Sequence, residues 1–461
     1  MSDVGVGNGY GYANCLLREI FMGAALRVAV VGSGPSGMYA AAELLEGNKA
    51  TVDVFDRLPI PFGLVRYGVA PDHFSIRSVR ENLDRIWDQP GIRFIGNVTI
   101  GQDISVDELR EHYDAVVLTY GASADRALGI PGEQLPGCVG ATDFVAWYCG
   151  HPDANREFFE SYLPTIEHAA VVGLGNVAVD VARILAKTPA ELQATDIPEH
   201  VRNTLASMKL TDIHILGRRG PAQATWTTKE LRELGELEEC QVVVDPVGLT
   251  DDQAWVTDEK VHQRNVDVVR GWMERPRLEG PTLHLHFLTR PISVAGSVHV
   301  SVVQVERTEF TASGSLASTG EVLDLPVEFL VRSIGYRGTG LPGVAFNDET
   351  GTVVHVDGRI EPGLYAAGWI KRGPSGIIGT NKKDAVATVE SLLADAGAGQ
   401  LSTGTGAIDG LIAHRGLEVV SVAGWRAIDK AERDLGAQFG IDRMTISDQA
   451  TLVEIASLGE R

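Results

Sequence analysis

Apolar residues in this chain gather in short unbroken runs that stop at glycine and resume with helical spacing. The clearest is Val28 to Val31, which ends at Gly32-Ser-Gly34-Pro-Ser-Gly37 and continues as an Ala/Leu-rich stretch to Leu45. A fully apolar run fits a strand buried on both faces, and the change of period fits a helix, so the segment reads strand, tight turn, helix. A second run, Thr51 to Phe55, predicts the next strand and ends at Asp56. From Arg57 to His73 prolines and glycines are too close together for a regular element, and the segment predicts a long ordered loop. Ile76, Val79, Leu83, Ile86 and Trp87 then predict a helix, Ile92 to Ile95 a short strand, and Tyr113 to Gly121 a buried strand.

The pattern repeats after residues 122–140, whose Gly/Pro content marks where the chain leaves the first unit. Ala169 to Gly173, then Leu174-Gly175-Asn176-Val177-Ala178 and Val181, Ile184 and Leu185, again read strand, turn, helix. Lys187 to Lys209 looks like an inserted helical excursion before the strand Asp212 to Gly217. Thr227 and Glu230 open another helix, with Glu230 either the capping-box partner of Thr227 or a ligand contact. β-Branched alternation predicts strands near Val242–Val244, Leu283–Phe287 and Val298–Val305, and Phe329 to Gly335 ends the second unit near Gly343. Gly363 to Lys383 returns as strand and glycine-rich loop, followed by a helix over Ala385–Leu393. Residues 396–410 read as a mobile stretch, and the tail as one amphipathic helix near Trp425, Ile428 and Leu435. The expected fold class is α/β, with two Rossmann-like dinucleotide-binding domains. Residues 130–343 are inserted into a discontinuous unit made of 26–129 and 344–461. Residues 1–25, with four glycines from Gly5 to Gly11, read as a flexible extension, and Met22 as an alternative start.

Composition narrows the chemistry. A net charge of −21 argues against nucleic acid as a partner, and no apolar run is long enough for a membrane span. Cys15, Cys138, Cys149 and Cys240 are scattered and form no CxxC pair. That leaves no iron–sulfur ligand set and no redox disulfide, and it fits a reducing cytoplasm. No metal site is expected.

Each glycine of the first turn has its own task. Gly32 permits the bend, Gly34 lets backbone approach a pyrophosphate, and Gly37 lets helix and strand pack closely. With Ser36 they form a cradle at a helix N-terminus, and Asp56 stands where a carboxylate accepts ribose hydroxyls. In the second turn Gly175, Asn176, Val177 and Ala178 play the same part, with alanine in the third position. Its acid is replaced by Arg218-Arg219. Guanidiniums pair with a 2′-phosphate where a carboxylate would repel it, so the second ligand is expected to be NADP(H).

Four longer stretches carry a family resemblance. They are Pro61 to His73, Gly175 to Arg183, Gly217 to Pro221, and Gly368 to Gly379. Together they resemble ferredoxin–NADP⁺ reductases of the adrenodoxin-reductase type, over roughly 26–395. The resemblance implies FAD as first cofactor, contacted by Asp56, Leu64, Val98, Trp369 and Gly376, Ile377 and Ile378. It implies NADP contacts at Gly175 to Ala178, Arg218, Arg219, Glu230 and Gly376, and places His73 and Glu233 near the nicotinamide. The implied activity is hydride transfer from NADPH to flavin, then single electrons, through a semiquinone, to an iron–sulfur ferredoxin. A haem monooxygenase is one acceptor beyond it, and the chain is expected to be a monomer. The alternatives are another NADPH-dependent flavin oxidoreductase, or an electron-transfer subunit of a larger complex. For an acidic protein meeting an acidic ferredoxin, a local basic face is expected from Lys371, Arg372, Lys382 and Lys383, with Arg77 and Arg80. The alternative for these residues is neutralising cofactor phosphates.

Overall fold

Two six-stranded sheets organise the chain in the computed structural model, which describes residues 25–246, 249, 252–276, 279–376, 378–406 and 408–460. Residues 1–24, which include the alternative start Met22, fall outside the described residues. The first sheet runs Arg359–Glu361, Leu364–Ala366, Ala115–Leu118, Leu26–Val31, Ala50–Phe55 and Ile92–Ile95. Its neighbours are parallel except for the pair at the Arg359 edge. The second sheet runs Cys138–Gly140, Phe329–Arg332, His168–Val172, Asp212–Leu216, Thr282–His286 and Gln241–Val244, parallel throughout. The first draws strands from both sides of the second in sequence, which makes the second an insertion. The two crossings pair with each other, Tyr336 opposite Asp125 and Arg337 opposite Ala124.

The strands Leu26–Val31, Ala115–Leu118 and His168–Val172 are covered on both faces, which is why they read as apolar runs. Val28, Ala29, Val30, Val116 and Val117 are fully buried, as are Ala169, Ala170 and Val171. Gly32 adopts φ +108°, and a Cβ on Gly37 would lie 1.9 Å from the Gly32 carbonyl oxygen. That close approach seats the helix Pro35–Leu45 on its strand. Beside it lies the helix Ile378–Gly397, longer than expected, tied through Ser36 Oγ donating to Asn381 Oδ1 at 3.0 Å.

Several expected elements differ. The helix expected over Ile76–Trp87 is three short turns, Phe74–Arg77, Val79–Asp84 and Arg85–Asp88. Ser78 Oγ turns back to the Ser75 carbonyl at 2.8 Å, the local competition that favours breaks. The strand expected at Val298–Val305 starts later, at Val302–Phe310, in the centre of an antiparallel sheet with Thr289–Ala295 and Leu316–Pro326. The stretch expected to be mobile is fastened: Gly404 N–H donates to Asp114 Oδ1 at 2.9 Å and Thr405 N–H to the Glu111 carbonyl at 2.7 Å. The tail holds two long helices, Val422–Gln438 and Gln449–Gly459. They close one face of the first sheet with Trp425, Ile428, Leu452 and Ala456.

A buried ion cluster fixes that tail. Glu432 and Arg66 have side chains 0% and 1% exposed and pair twice, once with Nη1 to Oε2 at 3.0 Å. Arg443 Nη1 lies 3.4 Å from the same oxygen, and Ile446 N–H donates to Oε1 at 2.9 Å. Removing the shared carboxylate strands two arginines out of water. Glu432→Ala should therefore lower the unfolding free energy by about 3–5 kcal/mol, read from urea denaturation. A loss under about 1 kcal/mol would show the tail to be held by its apolar contacts alone.

Candidate functional site

The first cradle is built as its glycines require. A Cβ on Gly34 would meet nothing within 4 Å, so the backbone there faces open space at the N-cap of Pro35–Leu45. Such a cap offers unpaired N–H groups to an anion, and the room fits a pyrophosphate. The loop after Asp56 folds back over this turn. Phe62 N–H donates to the Ser33 carbonyl at 3.1 Å, and Phe62 holds φ +87°, a conformation bulky residues avoid. Asp56 Oδ2 accepts from Ser33 N–H at 2.9 Å and from its hydroxyl, and Oδ1 accepts from Leu58 N–H at 3.0 Å. Burial raises its pKa, with these hydrogen bonds opposing. Val98 is buried beside it, donating its N–H to the Asp56 carbonyl at 2.9 Å. Leu64 is exposed at the start of the short helix Leu64–Tyr67.

The C-terminal loop approaches from the other side of the sheet edge. A Cβ on Gly368 would lie 2.2 Å from Ser36 Oγ, so this glycine lets the loop touch the fingerprint helix. Trp369 starts the turn Trp369–Arg372, and its ring lies 5.7 Å from that of Tyr336, on the crossing between the sheets. A cleft of about 650 Å³ opens there, lined by Arg126, Gly335, Tyr336, Lys371, Arg372 and Ser375. Gly376 adopts φ +81° and Ile378 begins the long helix, while Ile377 lies outside the described residues.

The second cradle repeats the design. A Cβ on Gly173 would lie 2.1 Å from the Ser333 carbonyl oxygen, whereas one on Gly175 would meet only Thr225 Oγ1 at 3.5 Å. Asn176 opens the helix Asn176–Ala186, and its Oδ1 accepts from Thr227 N–H at 2.8 Å. Ala178 is fully buried and Val177 half-buried. Arg218 and Arg219 are exposed, with their backbone carbonyls held by Thr308 Oγ1 at 2.9 Å and Leu288 N–H at 3.1 Å. Among the described residues neither guanidinium has a carboxylate partner.

Between the cradles lies a buried charge cluster. His73, from the first unit, places Nε2 3.0 Å from Asp180 Oδ1, 3.0 Å from Glu230 Oε2 and 3.4 Å from Glu233 Oε2, all from the second unit. Arg183 touches the same ring and holds Asp72 through Nε at 2.7 Å and Nη2 at 3.0 Å. Lys187 Nζ adds 2.8 Å to Asp72, and Arg183 Nη1 lies 3.4 Å from Glu233. Burial would lower the His73 pKa, but the Asp180 and Glu230 carboxylates outweigh it and lift the ring to about 9. Burial would also raise Asp72, yet Arg183 and Lys187 hold its carboxyl well below the usual range. Glu233 is raised by burial, and Glu230 is lowered by His73 against its own burial.

Glu230 makes only half of a capping box: its N–H donates to Thr227 Oγ1 at 3.3 Å, while its carboxylate goes to His73. Sequence reasoning missed Asp72, Asp180, Arg183 and Lys187 as members of this cluster. The available signal was Arg183 itself, a charge 1% exposed on a helix whose other faces carry Val179, Val181 and Ile184. The expected basic face is smaller than its sequence suggested. Arg77 is buried, donating to the Arg66 carbonyl at 2.9 Å and lying 3.1 Å from Asp196. Lys371 and Arg372 are both engaged by Asp384, at 2.8 and 3.7 Å. Lys382 and Lys383 are exposed. Burial pushes the Cys138, Cys149 and Cys240 thiols up to about 11, 12 and 12, as suits packing residues.

A family model described as "Pyridine nucleotide-disulphide oxidoreductase" matches residues 26–213. The chain is 42% identical to NADPH-ferredoxin reductase FprA of Mycobacterium tuberculosis over 93% of this chain and 98% of that protein. It is 37% identical to human mitochondrial NADPH:adrenodoxin oxidoreductase over 93% and 91%. The solved structure of Mycobacterium tuberculosis FprA in complex with NADPH superposes with a TM-score of 0.88 at 40% identity, covering 94% of this chain and all of that one.

The raised His73 pKa has a consequence for stability. It stands above the ordinary 6.5, so the stabilisation is complete below that pH and is lost as pH rises through about 9. The difference in unfolding free energy between wild type and His73→Gln should narrow across this interval in urea titrations, and a difference independent of pH would show the ring uncharged in the fold.

Proposed function

From the premise that the chain belongs to the ferredoxin–NADP⁺ reductases of the adrenodoxin-reductase type, we propose that it moves electrons from NADPH to an iron–sulfur ferredoxin by way of FAD. The observation carrying this reading is the pair of open glycine turns joined by one buried cluster, since His73 of the first unit bonds the very helix that opens the second turn. FAD, when bound, accepts a hydride from NADPH and releases electrons singly. The rest is positioning by the protein.

Gly34, Ser36 and Gly37 receive the FAD pyrophosphate on backbone N–H groups, Gly32, whose own N–H is held by the Phe55 carbonyl, makes the bend, and Asp56, already oriented by Ser33 and Leu58, accepts from the ribose. Leu64, Val98, Trp369, Gly376 and Ile378 wall the flavin, with Ile377 assigned by its place in the motif. Gly175, Asn176, Val177 and Ala178 receive the NADP pyrophosphate, and Arg218 and Arg219, which have no carboxylate partner among the described residues, take the 2′-phosphate. Glu230 and Gly376 complete that pocket. His73 and Glu233 orient the nicotinamide side and hold fixed charge there, because the ring edge carrying Nε2 is occupied by carboxylates. The FAD unit comprises 26–129 and 344–461, and the NADP unit 130–343. The enzyme works as a monomer in the cytoplasm, and a haem monooxygenase is among the acceptors its ferredoxin serves. Among the described residues no helix is long and apolar enough to cross a membrane.

The deciding experiment is NADPH-driven reduction of a small set of purified ferredoxins, with NADH as the comparison donor. Turnover with oxygen or a disulfide and with no ferredoxin would overturn the reading. Replacing Arg218 and Arg219 together with alanine should raise the KM for NADPH about 10- to 100-fold while leaving that for NADH unchanged, since charge-assisted bonds of about 1.5–3 kcal/mol are lost from one donor only. Charge reversal at Lys382 and Lys383 should raise the KM for ferredoxin and spare ferricyanide reduction. A parallel fall in both activities would assign the two lysines to the cofactor phosphates instead.

A further inference from the structure

The second sheet carries a histidine group that the reductase chemistry does not use. His214 and His284 are direct cross-strand partners on Asp212–Leu216 and Thr282–His286, and His286 follows two residues along. The period of two places all three on one face. One ring nitrogen from each lies within 4.8 Å of the others. His214 Nδ1 and His286 Nε2 are 2.9 Å apart, and the His214 and His284 ring centroids 4.8 Å. On the same face Ala170, Val172 and Leu216 are buried against Val303 and Val305. Three clustered imidazoles on such a face call for a chemical reason.

The outer side of the group supplies one. His286 Nδ1 lies 2.9 Å from Asp245 Oδ2, and His284 Nε2 lies 2.8 Å from Asp212 Oδ1. Both carboxylates are themselves held, Asp245 by Arg307 Nη2 at 2.7 Å and Asp212 by Thr211 Oγ1 at 2.8 Å. A carboxylate fixing one nitrogen of a histidine is the arrangement that orients imidazoles toward a metal and raises their basicity. We propose that His214, His284 and His286 form a binding site for a divalent transition-metal ion of zinc's class, with Asp212 and Asp245 as its outer partners. Imidazole sets favour such ions over magnesium or calcium, and three of them leave a fourth position for water. With metal–nitrogen distances of about 2.0–2.1 Å, tetrahedral ligands stand about 3.3 Å apart, so His214 and His286 need separate by only a few tenths of an ångström. His284 and Asp212 side chains are 24% and 33% exposed, which gives an ion its way in.

The test uses tag-free, FAD-loaded, chelator-stripped protein, titrated with zinc alone by calorimetry and with cobalt(II) by visible absorption beyond the flavin bands. One equivalent should bind with a micromolar or tighter Kd, and cobalt should give the absorption of a four-coordinate nitrogen site. His214→Ala and His286→Ala should abolish stoichiometric binding. Asp245→Asn, which leaves every ligand in place, should weaken it about 10- to 100-fold, and it keeps the test decisive should a histidine variant fail to fold. Absence of stoichiometric binding to the wild type would overturn the proposal. So would affinity unchanged in both His214→Ala and Asp245→Asn, which would place the ion elsewhere, with the His73, Asp180 and Glu230 group the first alternative.

Discussion

One buried guanidinium draws charges from both nucleotide units to itself. Arg183 is 1% exposed and sits on the helix that opens the second glycine turn. A cation out of water must be compensated, and the compensation comes from both units: Asp72 from the loop after the first turn, Asp180 and Glu233 from the second. His73 is drawn into the same cluster, where Arg183, Lys187 and a charged His73 stand against Asp72, Asp180, Glu230 and Glu233, with Lys229 3.8 Å from Glu233 at the rim. Neutral imidazole would leave Asp180 and Glu230 worse balanced, which is the physical reason the ring keeps its proton well above the ordinary range. The cluster thus fixes how the two turns sit relative to each other, and a hydride acceptor and donor held on separate units depend on that placement.

The two units solve one problem twice with different answers at a single position. Each needs backbone N–H groups exposed to a diphosphate, and each leaves open space over its middle glycine, at Gly34 and Gly175. Each also needs its first glycine because a neighbouring carbonyl blocks any Cβ, that of Thr119 for Gly32 and that of Ser333 for Gly173. They part at the end of the next strand. Asp56 is half-buried and spends its oxygens on Ser33 and Leu58, whereas Arg218 and Arg219 are exposed, with their backbone carbonyls held by Thr308 and Leu288. Under the proposed function, a preorganised acceptor and a pair of outward guanidiniums would select opposite ribose chemistry.

Sterics made much of this legible in the amino-acid sequence, and long-range electrostatics hid the rest. Gly32, Gly37 and Gly173 could be read because a turn against a strand permits few residue types. The inserted arrangement followed from the repeat of strand, glycine turn and helix. The charge cluster was not readable, since Asp72 and Arg183 are far apart in the chain and an ion pair between them leaves no periodic trace. The tail was underread for a related reason: Glu432 and Arg443 look like ordinary solvated charges until Arg66 arrives from the other end of the chain. Residues 396–410 misled through composition, because glycines such as Gly404 mark close contact as well as freedom. A Cβ there would lie 2.4 Å from the His112 carbonyl oxygen.

The same logic of local compensation bears on how a chain of net charge −21 meets an acidic redox partner. Asp384 receives Lys371 and Arg372 and also the Gly368 N–H, so the loop against the first cradle is neutralised from within. Lys382 and Lys383 directly precede Asp384 on the helix Ile378–Gly397 and are exposed. Screening confines each field to about 10 Å at moderate salt, so what a partner senses on approach is the charge of the face it touches and not the total. A helix anchored on its inner side by Ser36 and Asn381 can therefore present exposed lysines outward. Under the proposed function, an acidic protein would meet an acidic partner on a face where a neighbouring carboxylate is already paired.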